Sequence, residues 1–219
     1  MIGADMKLYS GMINEIKNRE VKLFRDRKRK RLYNKDFTIL ASDCNGTFMY
    51  HDMGLPFLSP TINLTIGMND FVKMLENLEW YMQQDIVELK GEYKYPTGNL
   101  GGGIKINFVH YESFDEGVSK WKQRKERINW DNLFIVGSEK DGCTYETIQR
   151  FERLPYENKV ILTHVDYPEF KSAYYIKGFE DRDEMGTTIN YKKQFFKRRY
   201  LDDFDYVTFL NHGVMRGKR

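Results

Sequence analysis

The feature that most constrains the fold is a short apolar segment, residues 37–41, which ends abruptly in a polar turn at residues 42–46. Apolar, β-prone residues followed by Ser, Asp, Asn and Gly are typical of the first strand and turn of an α/β domain. In such domains ligands bind beside the carboxyl ends of the parallel strands. Cys44, one of only two cysteines, lies in this turn and is therefore expected at a binding site.

The rest of the chain alternates between strand-like and helical segments. Strands are predicted at residues 61–66, 86–89, 104–110, 132–137 and 159–164, and helices at residues 70–84, 113–130 and 144–154. This spacing predicts an α/β fold with a mostly parallel, Rossmann-like sheet that has helices on both faces. Residues 167–219 are predicted to be an irregular tail that ends in a helix near residues 202–211.

A basic segment precedes this pattern. Residues 1–35 are predicted to form a basic amphipathic helix, followed by a single α/β domain at residues 36–219. Lys and Arg dominate residues 17–31, and helical spacing gives a partial apolar stripe made of Leu8, Met12, Ile16, Leu23 and Phe24. Such a helix is expected to pack on the domain by its stripe. The alternative is peripheral contact of residues 17–31 with the anionic inner face of the cell membrane.

Composition narrows the class of protein. With 219 residues, 41% of them hydrophobic, the chain is long enough to bury a substantial core. No segment has the ~20 apolar residues that cross a membrane, and the first residues lack the apolar region of a secretory signal. A cytoplasmic location with two reduced cysteines is therefore expected. No nucleic-acid partner is predicted, because few aromatic residues are interleaved with the basic ones.

Reactive side chains fall at the ends of four different predicted strands. Cys44 follows the first strand, His110 ends another, Asp141 and Cys143 follow a third, and His164 ends the last. Because the carboxyl ends of parallel strands share one edge of a sheet, these residues are expected to converge. Each also has an ordinary structural interpretation, since cysteine packs as a small apolar group and histidine hydrogen-bonds at strand ends.

The helix predicted after His110 carries a second group of binding side chains. Trp121, Arg124 and Arg127 are three residues apart and so lie along one helical face. Arginine suits bidentate recognition of phosphate or carboxylate, and an indole ring can cover a base or a sugar. The alternative is an ordinary amphipathic helix, with Trp121 buried and the arginines in surface ion pairs.

Familiar cofactor and metal motifs are absent from the sequence. The glycine-rich segment 98–103 is neither a G-x-x-x-x-G-K-[ST] loop nor a dinucleotide fingerprint, so no ATP or NAD site is predicted. Asp202, Asp203 and Asp205 precede a predicted helix, which favours N-capping over metal binding. Two distant cysteines do not make a zinc framework. No metal and no resident cofactor are therefore predicted.

Several longer blocks of sequence follow one another in a distinctive order. They are C-x-G at residues 44–46, then HDMGLPFLSPTINL, DFVKMLENLEWY, FVHYESFDEGVSKWKQRKERINWDNLF, DGCTYETI and LPYENKVILTH. In this order they resemble the exopolysaccharide biosynthesis family known as domain of unknown function 1919, whose members occur mainly in bacterial capsule and exopolysaccharide gene clusters. The resemblance spans about residues 37–211. It implies a role in making or modifying cell-surface polysaccharide.

The resemblance also singles out individual positions. The matching residues are Cys44, Gly46, Ser59, Pro60, His110, Tyr111, Trp121, Arg124, Arg127, Ile128, Asn129, Asp141, Cys143 and Thr144. The family usually has Asn-Asn-Cys-Trp-Gly-Gly where this chain has Ser-Asp-Cys-Asn-Gly-Thr at residues 42–47. Asn45 and Thr47 therefore replace a tryptophan and a glycine, which implies altered substrate choice or weakened activity.

Three functional hypotheses follow. In the first, the protein is a transferase acting on an activated sugar, with a nucleotide sugar as donor, or on a polysaccharide precursor. Arg124 and Arg127 hold the diphosphate, backbone N–H groups of residues 44–47 add anion contacts, and His110 deprotonates the acceptor hydroxyl. In the second, Cys44 is the nucleophile of an acyltransferase or hydrolase and pairs with His110 or His51. The third is a non-catalytic partner of the polysaccharide machinery.

The second hypothesis also draws on a distant similarity of the family to papain-like cysteine peptidases. Taken together, the hypotheses predict a site for a small-molecule or glycan substrate, with Cys44 and His110 as the catalytic residues. The predicted substrate-binding residues are Asn45, Gly46, Thr47, Ser59, Trp121, Arg124, Arg127, Asp141, Cys143 and His164.

Overall fold

The computed structural model describes residues 19–192 and 198–213. Helix α1 occupies residues 19–31. It is followed by β1 (Thr38–Ala41), α2 (Asn45–Met53), β2 (Thr65–Ile66), α3 (Met68–Glu76), α4 (Leu78–Gln83), β3 (Val87–Glu88), β4 (Thr97–Asn99), β5 (Lys105–Asn107), α5 (Phe114–Lys125), β6 (Leu133–Ser138), α6 (Tyr145–Arg153), β7 (Lys159–Thr163), β8 (Ala173–Tyr175), a 3-10 helix (Tyr200–Asp203) and α7 (Tyr206–His212). Within these two ranges, none of the helices has the length and apolarity to span a bilayer.

A parallel sheet forms the centre of the protein. Its strand order is β1-β6-β7-β8, and every neighbouring pair is parallel. Alternate residues of a strand point to opposite faces. Leu40, Ile135 and Ile161 accordingly pack in one core with residues of α3, α4, α5 and α6. Ile39, Val136 and Leu162 pack in a second core with residues of α2 and α7.

A second, antiparallel sheet has the strand order β2-β5-β4-β3. The mixed α/β class is therefore confirmed. The protein has two sheets, where one mostly parallel sheet was predicted. Strand β4, which was not predicted, overlaps the glycine-rich segment 98–103. Gly98 is required there, because a Cβ on it would lie 2.4 Å from Ile86 Cγ2 and 2.9 Å from Phe114 Cε2. The strand order alone does not establish the narrower Rossmann-like description.

Several predicted elements have different bounds in the structure. The strand expected at residues 61–66 is reduced to Thr65–Ile66, because a turn precedes it in which Ser59 Oγ accepts from the Thr61 backbone N–H at 3.2 Å. The strand expected at residues 104–110 ends at Asn107. The helix expected at residues 70–84 is two helices, broken where Asn77 adopts φ −144°.

Helix α6 matches its prediction closely. The Thr144 hydroxyl accepts from the backbone N–H of Thr147 at 3.2 Å, and the Thr147 hydroxyl accepts in return from the backbone N–H of Thr144. This reciprocal cap satisfies two N–H groups that have no partner within the helix.

The segment expected to be an irregular tail contributes a strand, two helices and a large part of the core. Within this segment, Phe170 is buried in the core on the α3 side of the sheet. The other buried apolar side chains of the segment are Ile176, Phe179, Met185, Leu201, Phe204, Tyr206, Val207, Phe209 and Leu210. All of them pack against the α2 side of the parallel sheet. The carboxyl-terminal part of the described chain is thus an integral layer of the domain.

Ion pairs hold α1 on the domain. We define the fastening cluster as Arg25, Lys28, Asp52, Arg199, Asp202 and Tyr206. Lys28 is only 7% exposed and donates to Asp202 Oδ1 and to the Tyr206 hydroxyl, both at 2.7 Å. Asp52 accepts from Tyr206 at 2.6 Å and forms ion pairs with Arg25, at 2.9 Å, and with Arg199.

The apolar stripe expected to hold α1 plays a smaller part. Leu23 is 58% exposed, and Phe24 is half-buried beneath the ammonium group of Lys28. Leu8, Met12 and Ile16 lie outside the described residues. In the acidic run, Asp205 caps α7 by accepting from the Thr208 backbone N–H, as expected, whereas Asp202 is a buried ion-pair partner.

Candidate functional site

Cys44 follows β1 at the N-cap position of α2. Helix α2 lies close to β1 because Gly46 has no side chain. A Cβ at Gly46 would lie 2.9 Å from the Cβ of Ala41. Gly46 is buried against the sheet, so it serves packing and presents no surface to a ligand.

Asn45 connects three distant parts of the chain at this turn. Its side-chain amide donates to Ser138 Oγ at 3.1 Å, and its Oδ1 accepts from the Thr188 hydroxyl at 2.6 Å. Its backbone N–H donates to Asp43 Oδ1 at 2.9 Å. The first N–H group of α2 is therefore already bound to a carboxylate of the protein. Asn45 is 1% exposed and positions its neighbours without reaching solvent.

Lys140 brings a positive charge beside Cys44. Its Nζ lies 3.1 Å from Asp43 Oδ2. Burial by itself lowers the pKa of Lys140, but attraction to Asp43 and Asp141 outweighs it and raises that pKa, so the ammonium group stays charged. Burial and the charge of Asp43 raise the pKa of the Cys44 thiol to about 11, against a smaller opposing effect of Lys140.

Tyr111 and Arg124 contact the loop that precedes β2, beside α2. Arg124 Nη1 donates to the Tyr111 hydroxyl at 2.6 Å, and that hydroxyl donates to the Ile62 carbonyl at 2.9 Å. Burial raises the pKa of Tyr111 and outweighs the opposing effect of Arg124. We define the Cys44 edge as Cys44, Tyr111, Arg124, Lys140 and Asp141.

A cleft of about 500 Å³ opens beside Lys140 and Asp141, and the segment 181–187 forms its other wall. The Asp141 backbone N–H donates to Glu184 Oε2 at 2.8 Å. Burial, together with the charges of Glu184 and Asp43, raises the pKa of the Asp141 carboxyl.

Asp141 also adopts a left-handed backbone conformation, with φ 54°. Among the described residues only one other non-glycine residue does so, Asn63 with φ 62°, and its N–H donates to Thr47 Oγ1 at 3.0 Å. Asn and Asp tolerate this conformation better than other side chains, and such backbone outliers concentrate at functional sites. Both outliers lie in loops that flank Cys44.

Most of the chain matches a known protein family. The family model described as "Domain of unknown function (DUF1919)" matches residues 15–211. The chain belongs to this family. An uncharacterized protein of Haemophilus influenzae is 42% identical over 183 residues, which are 84% of this chain and 88% of that relative.

A second polar cluster in this DUF1919 protein lies at the ends of β6 and β7. Glu139 Oε2 accepts from the backbone N–H of His164 at 2.8 Å and lies 2.7 Å from its Nδ1, while Glu139 Oε1 accepts from the Tyr167 hydroxyl at 2.5 Å. Burial, followed by the charges of Glu139 and Glu184, raises the pKa of the Cys143 thiol to about 12. His164 and Cys143 therefore belong to this cluster.

Other predicted site residues lie elsewhere. Trp121 is 2% exposed inside the core, and Ser59 is fully buried and hydrogen-bonded to Thr61, so neither presents a surface to a ligand. Arg127 is exposed beyond the end of α5. His110 is exposed in a turn. Its side chain forms no hydrogen bond with the described residues. The proposed pairing of Cys44 with His110 is not seen.

Sequence reasoning missed four residues that build the site: Asp43, Ser138, Lys140 and Glu139. Each follows or ends a strand of the parallel sheet, so the rule that selected Cys44 and Asp141 would also have selected them. Thr188 had no comparable signal, because nothing local indicates that it bonds Asn45. Across residues 19–192 and 198–213, no three His, Cys, Asp or Glu side chains are arranged to hold a metal ion.

Proposed function

We propose that this protein is a transferase that acts on an activated sugar or a polysaccharide precursor in the synthesis of bacterial cell-surface polysaccharide. The observation that carries the proposal is the cleft beside Lys140 and Asp141, where a cation that stays charged lies next to an acid with a raised pKa. Arg124, bonded to the Tyr111 hydroxyl, is the second cation of the proposed site. The resemblance to capsule and exopolysaccharide proteins supports the polysaccharide context.

The two cations suit an anionic donor such as a nucleotide sugar. Arg124 donates from Nη1 to Tyr111 and Ile62, and among the described residues its other N–H groups have no hydrogen-bond acceptor, so they could bind phosphate oxygens. Lys140 keeps its charge through Asp43. In the proposed complex, Arg124 binds the diphosphate as a planar donor and Lys140 binds it as a point charge.

Asp141 is the proposed base. It takes the proton of the acceptor hydroxyl as that oxygen bonds to the sugar carbon and the bond from this carbon to the diphosphate breaks. The diphosphate leaves with the electron pair, and Arg124 and Lys140 stabilise its added charge. A raised pKa makes a carboxylate a stronger base, which favours Asp141 over an unperturbed acid. The role for His110 as base stays a prediction.

Ligand-dependent thermal stability tests this proposal. A nucleotide sugar present at 100 times its Kd is expected to add ~2.7 kcal/mol to the free energy of unfolding. We expect Arg124→Ala to abolish the shift and Arg127→Ala, a matched change at an exposed arginine outside the edge, to retain it. The proposal fails if neither nucleotide sugars nor diphosphates stabilise the wild-type protein, or if both variants lose the shift equally.

A Cys44-dependent acyltransferase or papain-like hydrolase is the second candidate. The position of Cys44 at a strand end and helix N-terminus favours it, whereas the raised pKa of the thiol opposes it. The Cys44→Ser variant tests this candidate, because polysaccharide production that survives the change excludes a thiol nucleophile. A purely non-catalytic partner of the synthesis machinery would tolerate Cys44→Ser, Arg124→Ala and Asp141→Asn alike.

A further inference from the structure

Helix α1 has an inner face that is occupied by the domain. Arg25 and Lys28 belong to the fastening cluster, and Arg31 pairs with Asp205 at 2.5 Å. Leu32, just after the helix, is buried in the core on the α2 side. These positions are three or four residues apart, which places them along one side of a helix with 3.6 residues per turn. The cations on this side are neutralised by the protein itself.

The outer face of α1 has a different composition. We define it as Arg19, Lys22, Leu23, Arg27 and Lys30, which recur at intervals that align them opposite the inner face. All five side chains are exposed, and Leu23, 58% exposed, lies among four cations. Within residues 19–192 and 198–213, no carboxylate forms an ion pair with any of these four.

Nearby acidic residues offset only part of this charge. Glu20 and Asp26 are the two acids of α1, and Asp26 lies 3.9 Å from Arg29, a residue outside the outer face. Four cations against two acids leave the exposed side of the helix net positive.

We propose that the outer face of α1 binds the surface of an anionic lipid bilayer. Basic residues are attracted to the negative headgroups, and an exposed leucine between them can insert at the boundary of the acyl chains. A nucleic acid is the less suitable occupant, because the outer face has no aromatic side chain on which a base could stack. The proposal is independent of the reaction run at the Cys44 edge.

Vesicle flotation of the full chain tests this inference. We expect flotation with vesicles of phosphatidylcholine and phosphatidylglycerol, none with phosphatidylcholine alone, and loss of flotation at high salt. The triple variant Lys22→Glu, Arg27→Glu, Lys30→Glu is expected to weaken binding at least ~10-fold. Leu23→Ser is expected to weaken it less, since it removes only the apolar contact.

A matched variant controls for net charge. Lys90→Glu, Lys171→Glu, Lys177→Glu reverses three exposed lysines outside α1 and should float like the wild type. All variants should keep the melting temperature of the wild type, because the substituted side chains are exposed. The inference is overturned if anionic vesicles do not bind, or if both triple variants bind equally.

Discussion

The fastening cluster and the Cys44 edge both collect charged groups from distant parts of the chain, but they differ in how those charges are matched. Burial alone would raise the pKa of Asp202, yet Arg199 and Lys28 lower it. At the Cys44 edge, the pKa values of Asp141 and of the Cys44 thiol are both raised. Matched buried charges hold structure, whereas incompletely matched ones are available to a ligand or a proton.

Breaking the matched cluster is expected to have the largest effect. Asp52→Ala leaves the buried Arg199 and the partly buried Arg25 without one of their carboxylates, so we expect a loss of ~3–5 kcal/mol in the free energy of unfolding. Urea denaturation measures it. Asp36→Ala, at an exposed carboxylate, should change stability by less than ~0.5 kcal/mol. A similar small change for Asp52→Ala would mean that the cluster does not hold the helix.

The reactivity of Cys44 tests the Cys44 edge, where the charges are incompletely matched. A thiol with a pKa of about 11 has far less thiolate at neutral pH than an ordinary cysteine. We therefore expect iodoacetamide to alkylate Cys44 at least ~100-fold more slowly than a free cysteine peptide. Mass spectrometry of the wild type and of Cys143→Ser measures this rate. Alkylation as fast as that of the peptide would revive the nucleophile hypothesis.

The smallest expected effect is on the pH dependence of stability, because the pKa of Asp141 is raised whereas that of Asp202 in the fastening cluster is lowered. A folded-state pKa raised above the unfolded value adds stability at low pH, and this stability is lost as pH rises through the folded-state pKa. Asn carries no charge, so Asp141→Asn removes this loss of stability at higher pH. Asn also tolerates the left-handed backbone conformation at this position. We therefore expect a higher melting temperature than wild type at neutral pH, and a gain that shrinks as the pH falls and wild-type Asp141 takes up its proton. A lower melting temperature at neutral pH would mean that partners stabilise the charge of Asp141, as they do for the charges of the fastening cluster.

Local sequence patterns predicted those parts of the fold whose determinants are local. Strands β6 and β7 are continuous apolar runs, and the reciprocal cap of α6 spans four residues, so both could be recognised. The second sheet could not be recognised, because its strands are two or three residues long and β2 pairs with β5 about forty residues away.

The same distinction applies to the site. Cys44 and Asp141 were found because strand ends are visible in the sequence. The hydrogen bond from Thr188 to Asn45 joins residues 143 positions apart, and the hydrogen bond from Arg124 to Tyr111 depends on how the turn before α5 folds back against that helix. Helical spacing placed Trp121 and Arg124 on one face, but only packing decides that the indole is buried and the guanidinium is not.

The attachment of α1 has a consequence for synthesis of the chain. Lys28 bonds Asp202 and Tyr206, which lie 174 and 178 residues further along. At translation rates of ~5–20 residues per second, the helix waits roughly 10–35 s for these partners to be made. During that interval the cations of both its faces are exposed on the ribosome. The nascent chain is thus more basic at this helix than the finished protein, and it is most open to anionic surfaces before it has folded.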